Sequence, residues 1–406
     1  MFRAPNENQQ DRQQLSMKDA PLSGFWFLFM VSMGAFFPYF SEHLSTVGEL
    51  SDAQVGIILA CLPLMGIPAQ LFWGPLSDST GRRRSVVSAV TFMAGLSLML
   101  LSTLDGFGSL LLGTLILALF VTSVIPLMTA LSLASLAERG ASAYGGVRTW
   151  GTIGFLLSVT LLPLISGDTR DLLIMAGLAS IASALVVGFV RPGIVKRGLP
   201  MKEALPALMR IATCRRMAFL AFLAFFAMQG PIQNFPLILK ANGGAASLIG
   251  PTWIIMLVIE IPVLRSSSRF AIRIGPRWLF FVGLMSEALR WSLTAWAPDL
   301  LTLQWAQGLH GLGIVGLFIG LPLLLEDGVP HHLRSSAQTF VNVAGAGLGA
   351  TLSNLVFGLM LDGSGPALPL LTCAAVAMAA AFLCLRLTRP ILQSDDQRTP
   401  VNASEV

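Results

Sequence analysis

Apolar residues run through this chain in long continuous blocks, and short polar clusters separate the blocks. The blocks recur from Pro21 to Leu387. Each is close to the roughly 20 residues that an α-helix needs to cross a bilayer. The strands of a membrane barrel would instead alternate apolar and polar positions. The pattern predicts about twelve transmembrane helices, over 22–42, 54–74, 85–104, 109–135, 145–166, 171–190, 216–239, 247–265, 276–297, 300–325, 335–360 and 366–388. The boundaries that follow are an N-terminal cytoplasmic tail (1–20), a six-helix bundle (21–190), a cytoplasmic linker (191–215), a second six-helix bundle (216–390) and a C-terminal cytoplasmic tail (391–406). The tails are polar and expected to be mobile.

Composition agrees with a bilayer as solvent. Hydrophobic residues make up 54% of the 406 and charged residues only 12%, with a mean hydropathy of +0.73. A soluble domain carries about 25% charged residues, so this chain could not cover a core of its size in water. The net charge of +5 does not point to nucleic acid, because the Lys and Arg residues sit in short clusters between apolar spans. Cys61, Cys214, Cys373 and Cys384 form no CxxC pair and no metal set with His, and read as packing residues. The first apolar stretch follows a charged tail (Arg3, Asp11, Arg12, Lys18, Asp19) without a cleavage site and is expected to be a retained first helix.

The clusters also orient the chain. Arg82, Arg83 and Arg84, Arg139, the linker, Arg265, Arg269 and Arg273, and Arg334 fall in every second loop. The opposite loops carry Glu42, Glu49, Asp52, Asp105, Asp168, Asp171, Asp299 and Asp362, with Arg170 and Lys240 as bases. An even number of spans then puts both termini in the cytoplasm, with the inner membrane as the location. Two halves of equal length suggest a duplicated transporter with its cavity between them.

The loop after the second span reads Gly74-Pro-Leu-Ser-Asp78-Ser-Thr-Gly81-Arg82-Arg83-Arg84. Gly74 suits a close helix approach, Gly81 suits a positive φ, and Asp78 suits a helix cap paired with an Arg. The loop resembles the signature of the major facilitator superfamily, with Ser79 where the family has a base. The resemblance implies a gating role for Gly74, Asp78, Gly81, Arg82 and Arg83. It also implies the major facilitator fold, an all-α membrane protein of two pseudo-symmetric six-helix bundles.

The fifth span opens Tyr144-Gly-Gly-Val-Arg148-Thr-Trp150-Gly151-Thr-Ile-Gly154-Phe. This is similar to lactose-permease-like, nucleoside-symporter-like and phenylpropionate-permease-like transporters. The resemblance gives Arg148 a substrate-binding role. The bland alternative is an arginine reaching back to the headgroups.

Charges at membrane depth are costly and mark cavities or ion paths. Glu260 lies in the eighth span, Glu287 and Arg290 in the ninth, and His310 in the tenth. Glu287 and Arg290 share a helix face, so they serve either proton coupling or a structural intrahelical pair. Glu260 is either a coupling acid or a residue of the cytoplasmic helix end, and His310 either a ligand or a hydrogen-bonded core residue. The acid, Arg and His match the lactose-permease-like group by type and helix. That group has a proton-bearing acid one turn after the His, where this chain has Gly313. The proton carrier is then Glu260 or Glu287, or the protein is not proton-coupled; the candidates for substrate binding are Arg148, Arg290 and His310, with Gln233 and Asn234 as polar candidates to line the cavity. His331 and His332 read as a solvated loop without further metal ligands.

The expected function is a secondary active transporter, a monomer moving a small polar or anionic organic solute by alternating access, with proton-coupled uptake. The alternative is a drug-type efflux antiporter. Such exporters carry a Gly-Pro motif in the fifth helix, which here has no Pro before Pro163. No nucleotide loop, nucleophile–base pair or metal set suggests an enzyme or a cofactor.

Overall fold

The computed structural model describes residues 6–136, 141–190 and 201–388, with side chains from 20, 144 and 203 onward in those stretches, Ser268 excepted. Arg139, the linker residues 191–200 and the tail 391–406 lie outside the described residues.

Every regular element among the described residues is helical. The first six predicted spans appear as α1 (Asn6–Phe36) with α2 (Phe40–Thr46), then α3 (Asp52–Thr80), α4 (Arg83–Leu101), α5 (Phe107–Ser135), α6 (Ala141–Ile165) and α7 (Thr169–Val187). Pro38 has no N–H to continue the helix, so the first span breaks between α1 and α2. Local chemistry sets other ends. Ser51 and Gln54 form a reciprocal capping box before α3, and the Asp168 carboxylate accepts from Arg170 N–H before α7. The helix of α1 starts at Asn6, well before the apolar block.

Within 191–215, α8 (Met201–Arg210) is bent by 92° from α9 (Ala212–Gln233). After α10 (Phe235–Ala241) comes α11 (Ile249–Ala295), which covers two predicted spans. The basic stretch Arg265–Arg273, expected as a loop, continues the helix. The kink falls at Gly275, whose φ of +78° only a glycine adopts without strain. The tenth span comprises α12 (Leu300–Ala306), α13 (His310–Val315), a π-helical turn Gly316–Gly320 and α14 (Leu321–Asp327). Asp299 accepts from Thr302 N–H at the start of α12, and that bond holds its carboxyl below the ordinary aspartate range. The last two spans are α15 (Arg334–Asn342) with a π-helical stretch and α16 (Ala350–Ser364), then α17 (Ala367–Leu387).

Ten of these helices, or eleven counting α8 with α9, are long and apolar enough to cross a membrane. The part of α11 after Gly275 is not among them; it carries Glu287 and Arg290. Large apolar side chains such as Leu164, Phe189 and Ile272 are exposed, as lipid-facing residues are.

The helices form two compact units. Unit 1 holds residues 1–197 with 235–237 and 245–254; unit 2 holds the remainder. In unit 1, α1 and α6 approach backbone to backbone. A Cβ at Gly34 would stand 2.8 Å from the Phe155 carbonyl oxygen, and one at Gly154 would overlap the Phe27 carbonyl. In unit 2, α13 and its π turn meet both parts of α11. A Cβ at Gly311 would lie 2.8 Å from Glu260 Cα, and one at Gly283 would lie 2.7 Å from Gly316 Cα.

Gly154→Val should therefore lower the melting temperature of the purified protein, through overpacking worth about 1–3 kcal/mol. Gly146→Ala, with nothing within 4 Å of the new Cβ, should leave it unchanged or higher.

Candidate functional site

Arg290 in unit 2 is completely buried. A guanidinium stays charged and has five donors to satisfy, so its neighbours follow from that need. Its Nε donates to Gln307 Oε1 at 2.8 Å. Its Nη1 donates to both Glu287 oxygens at 3.4 and 3.3 Å and to His310 Nδ1 at 2.8 Å. Its Nη2 points at Met256 Sδ at 3.8 Å, and the plane lies 4.1 Å from the Trp291 ring centre. Gln307 is fixed in turn, donating to Thr294 Oγ1 and the Leu303 carbonyl, both at 2.9 Å.

The imidazole is positioned by the same bonds. Arginine offers only donors, so His310 Nδ1 accepts and the ring proton sits on Nε2. Nε2 stands 3.8 Å from Glu260 Oε2. The glutamates differ in access: the Glu287 side chain is 5% exposed and that of Glu260 17%. The cluster thus joins Glu260 and Glu287, both on α11, across His310 on α13. Gly313 is part of the fit, because a Cβ there would overlap the Glu287 carboxylate. The absent acid at 313 is matched by a carboxylate delivered to that place from α11. Glu260, set down also as a helix-end residue, is in the cluster instead.

Gln233 and Asn234 are buried in unit 2, but no hydrogen bond among the described residues links them to Arg290. Gln233 Oε1 and Asn234 Oδ1 have no partner, while Asn234 Nδ2 turns back to the Gly230 carbonyl at 2.9 Å.

In unit 1, Arg148 is half-buried and lies over the Trp26 ring at 4.5 Å. It points toward α1. Gly151 leaves room for it, since a Cβ there would stand 2.6 Å from Nη1. Trp26 donates from Nε1 to Ser132 Oγ at 3.1 Å, and Tyr144 stands edge-on to the same indole at 6.4 Å. Among the described residues Arg148 forms no ion pair.

The loop between α3 and α4 differs from expectation in two respects. Asp78 is not the residue before a helix; it lies inside α3 and pairs with Arg83 Nη2 at 2.5 Å. The helix continues past it to Gly81, whose φ is +65°, so the turn begins one residue after Thr80. Gly74 has no neighbour within 4 Å of where a Cβ would stand. Arg82 is the residue before α4 and makes no capping bond. His331 and His332 are exposed in a short turn.

Sequence reasoning gave no site role to Trp26, Met256, Trp291 or Gln307, although Arg290-Trp291 and Gln307-Gly-Leu-His310 also resemble the phenylpropionate-permease-like group. Gln307 had a signal, a polar residue in an apolar span three before His310. The others look like core residues by type.

A multi-helix membrane fold with buried, paired charges in one unit and an unpaired arginine in the other is the framework of a solute transporter. Residues 20–370 match the MFS_1 like family, and the chain belongs to it. The maltose permease of Geobacillus stearothermophilus is 26% identical over 342 residues, 83% of this chain and 86% of the permease. The probable 3-phenylpropionic acid transporter of Escherichia coli (strain K12) is 24% identical over 303 residues, 69% of this chain and 75% of that protein. The crystal structure of nucleoside transporter NupG superimposes with a TM-score of 0.74 at 18% identity, covering 92% of this chain and 99% of that one. That likeness establishes the fold, the major facilitator fold of two helical bundles. The chain is a multi-pass membrane transporter and not an enzyme.

Glu287→Leu should remove the carboxylate bonded to Arg290 and destabilise the purified protein by up to about 3–5 kcal/mol, less where Glu260 ionises in its place. Glu287→Leu combined with Arg290→Leu should recover most of that loss in the same thermal melt.

Proposed function

We propose that the chain takes up a small organic carboxylate by proton-coupled alternating access. Its halves, 21–190 and 216–390, open in turn to the two faces of the inner membrane. The basic loops support an orientation with both termini in the cytoplasm.

The observation that carries the coupling is a charge count. Glu287 balances Arg290, and Glu260 then adds a second negative charge to a buried group. His310 does not offset it while its Nδ1 lone pair accepts from Arg290. A buried carboxylate without a counter-charge is costly, and taking up a proton removes the cost. In this arrangement the proton belongs on Glu260, the more exposed carboxyl and the one not held by arginine. Glu260 releases it when a movement of Arg290 or a bound substrate offers the carboxylate a cation.

Arg148 supports an anionic substrate. Its guanidinium lies over Trp26 with no carboxylate partner among the described residues, and that fork suits bidentate carboxylate recognition. The relatives divide between a sugar, by the name of the maltose permease, and an aromatic acid, by that of the phenylpropionic acid transporter. The unpaired charge favours the acid. Drug-type efflux gains no support from these relatives.

The test is uptake of labelled carboxylates, nucleosides and sugars into proteoliposomes with an imposed pH gradient. For the transported solute, Glu260→Gln should abolish stimulation by the gradient yet keep solute exchange, while full stimulation in that variant would refute the assignment. Arg148→Leu should weaken a carboxylate by about 2 kcal/mol, roughly thirtyfold, and leave uptake unchanged if the solute does not touch it.

A further inference from the structure

Arginines gather at the end of unit 2 where α9 begins and α17 ends. Arg216 Nη1 donates to the Leu387 carbonyl at 3.4 Å, and Arg277 Nη2 donates to the Leu385 carbonyl at 2.5 Å. Arg386, on the same last turn of α17, is exposed. Among the described residues none of the three forms an ion pair. Capping the last carbonyls of α17 explains one donor each on Arg216 and Arg277. It does not explain Arg386, nor Arg277 Nε, which is buried without a partner.

Aromatic rings lead away from this cluster along the helices. The Arg277 guanidinium stands 5.8 Å from the Trp278 ring. Trp278 is edge-on to Phe281 at 5.5 Å, and Phe281 is edge-on to Phe382 at 6.0 Å. Trp278 and Phe382 are 48% and 54% exposed. The 92° bend between α8 and α9 lies at the same end, where a membrane-crossing helix gives way to one running across it.

We propose that this end of unit 2 binds one anionic phospholipid, with its phosphate on Arg216, Arg277 and Arg386 and an acyl chain along Trp278, Phe281 and Phe382. A phosphodiester supplies the charge and the acceptors that arginine lacks here. Tryptophan belongs at headgroup depth, and the phenylalanines lie beyond it on the side the chains would take. A free inorganic anion would use the arginines and leave the row of exposed rings without a role. The inference does not depend on the transported solute or on proton coupling.

The experiment is native mass spectrometry of the full-length protein in detergent. Dioleoyl phosphatidylglycerol and dioleoyl phosphatidylcholine are added in equal amounts, and glycerophosphoglycerol serves as the chain-free competitor. The wild type should retain phosphatidylglycerol in preference to phosphatidylcholine. Arg386→Gln should weaken that retention about fivefold, and Arg216→Gln with Arg386→Gln about fivefold more. Trp278→Ala should weaken retention of the same lipid, and glycerophosphoglycerol should not displace it. Equal retention of the two lipids by the wild type would overturn the proposal, as would unchanged retention in Arg386→Gln. Displacement by the chain-free headgroup would overturn the lipid assignment in favour of a simple anion site. Arg386 is exposed, so its variant should fold even if the double variant does not, and a melting curve confirms which proteins are compared.

Discussion

Arg290 cannot give up its charge, and it is completely buried in unit 2. That constraint organises unit 2. A cation there survives only with its donors met and its charge answered, and Gln307, Glu287, His310, Met256 and Trp291 each meet part of the requirement. The side-chain amide of Gln307 is held by Thr294 and Leu303, so the guanidinium sits in a surround that is itself fixed. Once the arginine is placed, the imidazole tautomer follows, and Glu260 is left as the carboxylate without an arginine.

The backbone that allows this is unusual in its use of small residues. One long helix, α11, bears Glu260 before its kink and Glu287 with Arg290 after it. Gly275 turns the chain between them. Both parts of α11 must reach His310 on α13, and they do so because glycines stand where α13 and its π turn meet α11. Gly311 admits the backbone at Glu260, Gly313 leaves space for the Glu287 carboxylate, and Gly316 meets Gly283. A side chain at any of these places would separate the charges. The π turn at Gly316–Gly320 belongs to the same region, where such turns often mark functional sites.

Much of the fold was legible because a bilayer imposes a simple rule: long apolar blocks separated by polar turns. The rule located most spans within a few residues; the caps at Ser51 and Asp168 are findings of the structure. It failed where helicity continues through polar sequence. Arg265, Arg269 and Arg273 read as a loop, yet helical residues need not be apolar, and the true break waits for Gly275. Asp78 read as a cap, but α3 runs past it to the left-handed turn at Gly81. In the site, charge was the visible signal, and Glu260, Glu287, Arg290 and His310 stood out because ions are rare in such spans. Trp26 under Arg148 did not, since an indole in an apolar helix is chemically ordinary until its partner is known, and Gln307 was visible as a polar residue but not as the partner of Arg290. Gln233 and Asn234 illustrate the opposite limit: polarity at depth marked them, but only geometry shows that they lie outside the arginine's bonding network.

The proposed coupling requires one proton on Glu260 while arginine holds Glu287 ionised. Infrared difference spectra of the purified protein at neutral pH report protonated carboxyl groups directly. A protonated-carboxyl band should be present in the wild type and absent in Glu260→Gln. A band of equal size in Glu260→Gln, or none in the wild type, would contradict that assignment.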